Sequence, residues 1–209
     1  MKQKILPSVM AKNQQELDEM LERLAGVAKE LHLDIADGKF VPNTSLWFTL
    51  RISSKFTYNV HLMISNPLPW IEKYGKDVET IIVHPEAGQD VDKVIQRIKQ
   101  LKKKAGLALK PETTAASIKK YLPNLDYVLI LTVHPGFYGA KYLRYPLKKI
   151  PAIKKVNPAI KIIVDGGMNP ETVKDAVGAG ADYVVSGSFI TKAEKPKERM
   201  REMEKGFGG

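Results

Sequence analysis

In the segment ELHLDIADGKFVPN (residues 30–43), His32 and Asp34 stand two apart inside an apolar run. In an extended strand that spacing sends both side chains to one face, so an imidazole and a carboxylate share the same space. Groups of the same kind lie in two other strand-like runs: His61 in YNVHLMI (58–64) and Asp165 in KIIVDG (161–166). A carboxylate among apolar residues is costly unless a cation or hydrogen bonds meet it. Two neutral imidazoles and two carboxylates, His32, Asp34, His61 and Asp165, make a ligand set for one divalent metal ion, with positions left open for water or substrate. Mixed nitrogen and oxygen ligation suits zinc, ferrous iron, manganese or cobalt better than calcium. The competing reading is a buried His and Asp hydrogen-bond network without metal. His84 and His134 complete the set of four histidines; both stand at strand ends, and all four are expected at one rim.

Three glycine-bearing turns accompany this cluster. VDGGMNPET (164–172) carries Gly166 and Gly167 from a strand into a helix start, VSGSF (185–189) repeats the theme with Gly187 and Ser188, and HPGFYGA (134–140) contains Gly136, Phe137, Tyr138 and Gly139. Backbone N–H groups left accessible by glycine, with a helix dipole behind them, bind phosphate. Beside a metal cluster they point to a small phosphorylated substrate.

The elements that must hold these groups alternate from end to end. Strand-like runs fall at 4–9, 31–35, 58–64, 80–84, 106–110, 127–133, 161–166 and 182–187. They are short and mostly unalternating, as strands covered on both faces are. Helical runs are expected at 13–29, 46–53 (weak), 67–74, 90–104, 114–121, 143–156, 170–179 and 196–205. Alternation of this kind gives an α/β fold with a parallel sheet. Eight strand–helix units within 209 residues, with no linker, predict one single-domain (β/α)8 TIM barrel over residues 1–209. An open doubly wound sheet is the runner-up. Such barrels carry their reactive groups at the C-terminal ends of the strands, where the residues above fall.

Composition excludes several classes. The chain has no cysteine, hence no disulfide framework and no thiolate metal site. Its N-terminal apolar run is too short for a signal peptide, and no run approaches membrane-spanning length, so a cytoplasmic protein without membrane contact is expected. The formal charge of +10 raises the possibility of nucleic acid as a partner. However, the densest basic run, RIKQLKKKAG (97–106), lies on an amphipathic pattern with Val94, Ile98 and Leu101 on one face, which reads as a solvated lysine face. No nucleic-acid partner is expected, and the charge favours an anionic metabolite.

Over nearly its whole length the sequence resembles the ribulose-phosphate 3-epimerase family, a ribulose-phosphate-binding type of barrel. The resemblance is carried by LPSVMA (6–11), HLDIADGKFVPN (32–43), VHLMISNP (60–67), VHPEA (83–87), TVHPGFYG (132–139), VDGGMNPET (164–172) and SGSFI (186–190), in the family's order. It implies an isomerase that converts D-ribulose 5-phosphate to D-xylulose 5-phosphate in the pentose phosphate pathway. It places the metal on His32, Asp34, His61 and Asp165, and the two acid/base carboxylates on Asp34 and Asp165, which act through a metal-stabilised 2,3-enediolate. It also implies substrate contacts from Ser8, His61 and Met63, and phosphate contacts from Gly136, Phe137, Tyr138, Gly139, Gly166, Gly167, Gly187 and Ser188. A homo-oligomer is a further implication, with Trp47, Phe48 and Trp70 either surface contacts or core. Asp37, Gly38, Pro42 and Asn43 read as residues that shape the loop after the second strand.

The chain departs from the family pattern at Ala36 and Leu131, where the family usually has Met, and at Tyr138 and Ala140, where it has Gly and Gln. These changes bear on substrate choice. They keep open a 3-epimerase of a ketohexose 6-phosphate such as allulose 6-phosphate, a barrel lyase or decarboxylase using Lys110, and a non-catalytic sugar-phosphate-binding protein.

Overall fold

Ile, Val and Leu dominate the strand runs, and β-branched residues suit an extended backbone packed on both faces. In the computed structural model, which describes residues 4–135 and 140–206, these runs form eight parallel barrel strands. They are β1 (Lys4–Val9), β2 (Glu30–Asp37), β3 (Thr57–Met63), β4 (Thr80–Val83), β5 (Lys104–Leu109), β6 (Tyr127–Leu131), β7 (Lys161–Asp165) and β8 (Tyr183–Ser186). Each pairs with its neighbours in sequence, and β1 pairs with both β2 and β8, so the sheet closes into a (β/α)8 barrel. A two-residue strand, Thr44–Ser45, pairs antiparallel with the end of β2.

The α-helices are α1 (Gln14–Leu24), α2 (Leu68–Tyr74), α3 (Val91–Gln100), α4 (Lys149–Val156), α5 (Thr172–Gly178), α6 (Ser188–Thr191) and α7 (Pro196–Gly206). Asn13 caps α1 by accepting from the Glu16 N–H at 2.9 Å, and Asp90 caps α3 through Lys93 N–H at 3.1 Å. Outward-facing strand residues such as Leu31, Leu33, Ile35, Val60 and Leu62 pack with Leu17, Leu21, Leu24 and Ile71 of the helices in the main core. A second cluster, including Leu6, Ile82, Leu129, Leu131, Ile163 and Val185, fills the inside of the barrel.

Five expected helices differ: the one at 90–104 ends at Gln100, because Lys102 at φ 58° turns the chain into β5 from Lys104. None forms at 46–53. Leu46 has φ 51°, and the amides of Leu46, Leu50 and Arg51 donate instead to Ala11 O, the Tyr74 hydroxyl and Gln14 Oε1. Tertiary partners there outcompete a weak helical pattern. The first helix stops at Leu24 rather than Lys29, because Gly26 at φ 74° turns the chain toward β2. At 114–121 and 143–156 the chain forms 3-10 turns (Ala115–Ile118 and Tyr145–Lys148), with α4 beginning only at Lys149, and a further 3-10 turn follows the first at Leu122–Asn124. Pro146 sits in the turn before α4 and biases the residue before it away from helical geometry. The short α6 was not anticipated.

Candidate active site

Strand alternation does the positioning. On β2 the side chains of His32, Asp34 and Ala36 share the barrel-interior face, while Leu31, Leu33 and Ile35 join the outer core. The β2–β3 register sets Asp34 opposite His61, and Asp165 closes β7. His32, Asp34, His61 and Asp165 each offer one ligand atom, and these atoms all lie within 4.8 Å of one another. His61 Nδ1 stands 3.1 Å from Asp34 Oδ1 and 3.9 Å from Asp165 Oδ2. Both ring nitrogens of His32 are buried with no hydrogen-bond partner, although Nε2 comes to 3.5 Å from Asp34 Oδ1.

Buried polar atoms normally find partners, so two bare nitrogens on one imidazole beside two carboxylates are an unmet demand. A divalent cation would meet it at one of the two nitrogens, since imidazole nitrogens and carboxylate oxygens are its ordinary donors. The residues present therefore fit a metal ion.

The two carboxylates sit in opposite electrostatic states. Burial pushes Asp34 up, but the charge of His32 beside it outweighs this and holds the carboxyl well below its usual range. Asp165 is pushed up to about 7, first by burial and then by the charge of Asp34. Burial lowers the His32 imidazole, yet attraction to Asp34 more than offsets this and raises it, whereas burial prevails at His61 and lowers it.

The cluster opens on a cavity of about 370 Å³ at the C-terminal end of the barrel. Asp34, His61, Asp165, Ser8 and Met63 line it, as do Gly166, Gly167, Gly187 and Ser188 from the turns after β7 and β8. Gly166 has φ 112°, and a Cβ there would lie 2.5 Å from Val133 Cγ2, so no other residue fits without displacing the β6 end. The Thr132 hydroxyl reaches the carbonyl oxygens of Gly166 at 2.7 Å and Asp165 at 2.9 Å, and it ties the end of β6 to this turn.

Gly136, Phe137, Tyr138 and Gly139 lie outside the described residues. His134 does not join the other histidines. β6 ends at Leu131, and by His134 the chain has left the barrel; this side chain is exposed, 3.6 Å from Glu112 at the surface. Lys110 places its ammonium 4.1 Å from the Phe40 ring centre and is not among the residues that line the cavity. Ala36 is covered by Phe40, Val41 and Met63. Trp70 is buried, while Trp47 is half exposed. Asp37 braces the loop after β2: Oδ1 accepts from the amides of Lys39 and Phe40, and Oδ2 accepts from the amide and hydroxyl of Ser65.

Sequence reasoning gave no role to Glu86. It sits in the 3-10 turn Pro85–Ala87 with Oε2 3.1 Å from His84 Nδ1, and His84 Nε2 is 2.8 Å from His61 Nε2. The available signal was the His-x-Glu spacing of VHPEA, which repeats the His-x-Asp of β2. Met10, Met168, Asn169 and Phe189 also line the cavity without having been singled out.

A closed (β/α)8 barrel with a metal-type His/Asp cluster at its C-terminal mouth defines the class: a barrel enzyme built to act on a ligand held over that cluster. The model of the ribulose-phosphate 3 epimerase family matches residues 4–191. Ribulose-phosphate 3-epimerase of Aquifex aeolicus is 32% identical over 210 residues, covering 96% of this chain and 95% of that protein. The Bacillus subtilis enzyme of the same name is 34% identical, covering 96% and 97%. Among solved structures, orotidine 5'-phosphate decarboxylase from Pyrococcus horikoshii superposes with a TM-score of 0.66 at 16% identity, covering 98% of this chain and 99% of that one, a likeness of fold alone. The chain belongs to the ribulose-phosphate 3-epimerase family, and with it to the isomerases.

Proposed function

We propose that this protein interconverts D-ribulose 5-phosphate and D-xylulose 5-phosphate by moving a proton from one face of C3 to the other. The observation that carries this reading is the pair Asp34 and Asp165, which enter one cavity from strands separated by β1 and β8. Inversion at carbon needs a base on one side and an acid on the other, each within hydrogen-bond reach of the carbon. One carboxylate takes the C3 proton and the other returns a proton to the opposite face; Asp34, held ionised, is suited to begin as the base. Each turnover exchanges their protonation states, so the pair is set for the reverse direction until solvent resets it.

His32, Asp34, His61 and Asp165 would hold a divalent ion, which when bound supplies positive charge for the C2 and C3 oxygens as the 2,3-enediolate develops. Ser8 faces the sugar, while Gly166, Gly167, Gly187 and Ser188 take the phosphate, with Gly136 to Gly139 assigned to the same group by family resemblance. Two further features bear on the substrate. The space beside Ala36 is filled by neighbouring side chains, which favours the five-carbon sugar over a ketohexose 6-phosphate. A binding protein has no need of a carboxylate on each side of its ligand, which favours catalysis over storage or sensing.

The test is proton exchange. Protein loaded with ferrous, zinc or manganese ion in deuterated water should incorporate deuterium at C3 of ribulose 5-phosphate as xylulose 5-phosphate forms. A folded, metal-binding protein that exchanges no C3 proton refutes the proposal, and the same assay on allulose 6-phosphate decides between the pentose and the hexose.

A further inference from the structure

We infer that Glu86 and His84 form a hydrogen-bond relay that fixes His61 in the tautomer with Nδ1 bare and aimed at the carboxylate cluster. Both are therefore positioning residues for the metal centre, an inference that rests on reading His32, Asp34, His61 and Asp165 as that centre.

Hydrogen counting along the chain starts at Glu86. Its Oε1 already accepts from the Lys110 amide at 3.1 Å and from the Thr113 hydroxyl, bonds that favour the ionised carboxylate. Its Oε2 stands 3.1 Å from His84 Nδ1, so that nitrogen carries the hydrogen. A neutral His84 then presents a lone pair at Nε2. This atom is 2.8 Å from His61 Nε2, a distance that requires one hydrogen between the two, and His61 must provide it. His61 is left with a bare Nδ1, 3.1 Å from Asp34 Oδ1 and 3.9 Å from Asp165 Oδ2. A lone pair facing carboxylate oxygens is repulsive until a cation lies among them, so the relay delivers a donor atom where the other ligands converge. An N–H given up to a second residue also makes the ligating nitrogen more basic.

Running the relay backwards with neutral rings sets a bare His84 Nδ1 against the Glu86 carboxylate, two acceptors face to face. A doubly protonated His84 would likewise reverse the central bond and leave an N–H on His61 Nδ1; this is the rival the experiment discriminates. His61 and His84 are both fully buried, so water does not stand in for a missing partner at the central bond.

The experiment combines histidine ring-nitrogen NMR on uniformly 15N-labelled protein, with and without one equivalent of zinc, and zinc affinity by competition with a chromophoric chelator. In the zinc-loaded wild type, His61 should carry its hydrogen on Nε2 and show a metal-shifted Nδ1. His84→Phe removes the acceptor and should weaken zinc binding by about 10- to 100-fold. His84→Gln, whose amide oxygen can take the place of Nε2, should restore most of it, and Glu86→Gln should fall at the lower end of that loss. Zinc held as tightly by His84→Phe and Glu86→Gln as by wild type overturns the relay and leaves the metal site standing. So does wild-type His61 bound through Nε2, a reading that survives any failure of the variants to fold. If zinc moves no ring-nitrogen signal of His32 or His61 in the wild type, the metal reading itself falls.

Discussion

The two ends of the barrel use the same residue types to opposite effect. At the N-terminal end, Glu79, Asp126 and Asp182 each stand one residue before a strand. Asp182 accepts from the ammonium groups of Lys154 at 2.8 Å and Lys161 at 3.1 Å, and from the amide of Ile162 at 2.9 Å. Asp126 accepts from the Ala105 amide at 2.7 Å and pairs with Lys99, and Glu79 pairs with Lys104 at 3.0 Å. These carboxylates tie one strand to the next, and each has a lysine partner. At the C-terminal end, Asp34 and Asp165 repel each other, and His32 has two buried nitrogens with nothing to bond. The matched end contributes stability; the mismatched end stores the demand that a cation and a substrate would satisfy. Asp182 and Asp165 carry the contrast in one residue type: burial raises both, but at Asp182 the lysines and the Ile162 amide win and lower it, whereas at Asp165 the neighbour is another carboxylate.

The largest effect expected from this contrast is on turnover. Asp34→Asn or Asp165→Asn should lower kcat by about 10²- to 10⁴-fold, the usual contribution of a positioned acid or base, while Asp182→Asn leaves kcat unchanged. Near-normal turnover in either of the first two removes the two-carboxylate mechanism. Next in size is the pH dependence of metal affinity. A cation competes with the proton on Asp165, so affinity is present above the raised pKa near 7 and is lost as pH falls through it. Between pH 8 and pH 6 the loss should be about tenfold, measured by chelator competition. An affinity flat across that interval would show that Asp165 is not a ligand. Smaller again is the stability cost at the opposite end. Asp182→Asn should cost about 1–2 kcal/mol in urea unfolding at pH 7. Because the folded-state pKa of Asp182 is lowered, its stabilisation is present above the ordinary carboxylate value and is lost as pH falls from there through the lowered one. A mutant as stable as wild type at pH 7 would mean that the pegging is ornamental.

Much of the C-terminal end was legible in the sequence because it is written in strand periodicity. His32 and Asp34 at spacing two, with His61 and Asp165 in or at the ends of apolar runs, fall on one face by the geometry of the strand alone. The barrel strands were legible for the same reason, as continuous β-branched runs bounded by turns. What failed depends on contacts between distant segments. The absent helix at 46–53 was decided by Ala11, Gln14 and Tyr74. His134 looked equivalent to its fellows because a strand's end was placed two residues too late. Glu86 was missed because its partner is reached through a turn rather than along a strand, and the matched carboxylates at the other end look in sequence like any surface charge.

The smallest expected effect separates the two ends most sharply, because it runs against intuition. A buried acid whose folded pKa is raised favours the folded state at low pH, and that advantage is lost as pH rises from the ordinary carboxylate range through about 7. Above that point the metal-free protein holds two neighbouring negative charges with no cation between them. Asp165→Asn removes one of those charges at nearly constant volume. With the metal chelated, the mutant should therefore be more stable than wild type at pH 8, by about 1 kcal/mol, and the gap should close toward pH 5. Saturating metal should reverse the order, since binding to the native state stabilises wild type in proportion to its affinity. Thermal unfolding of both proteins with and without chelator measures all four states. A metal-free mutant less stable than wild type at pH 8 would show that the fold already satisfies Asp165, and the distinction between a matched and a mismatched end would collapse.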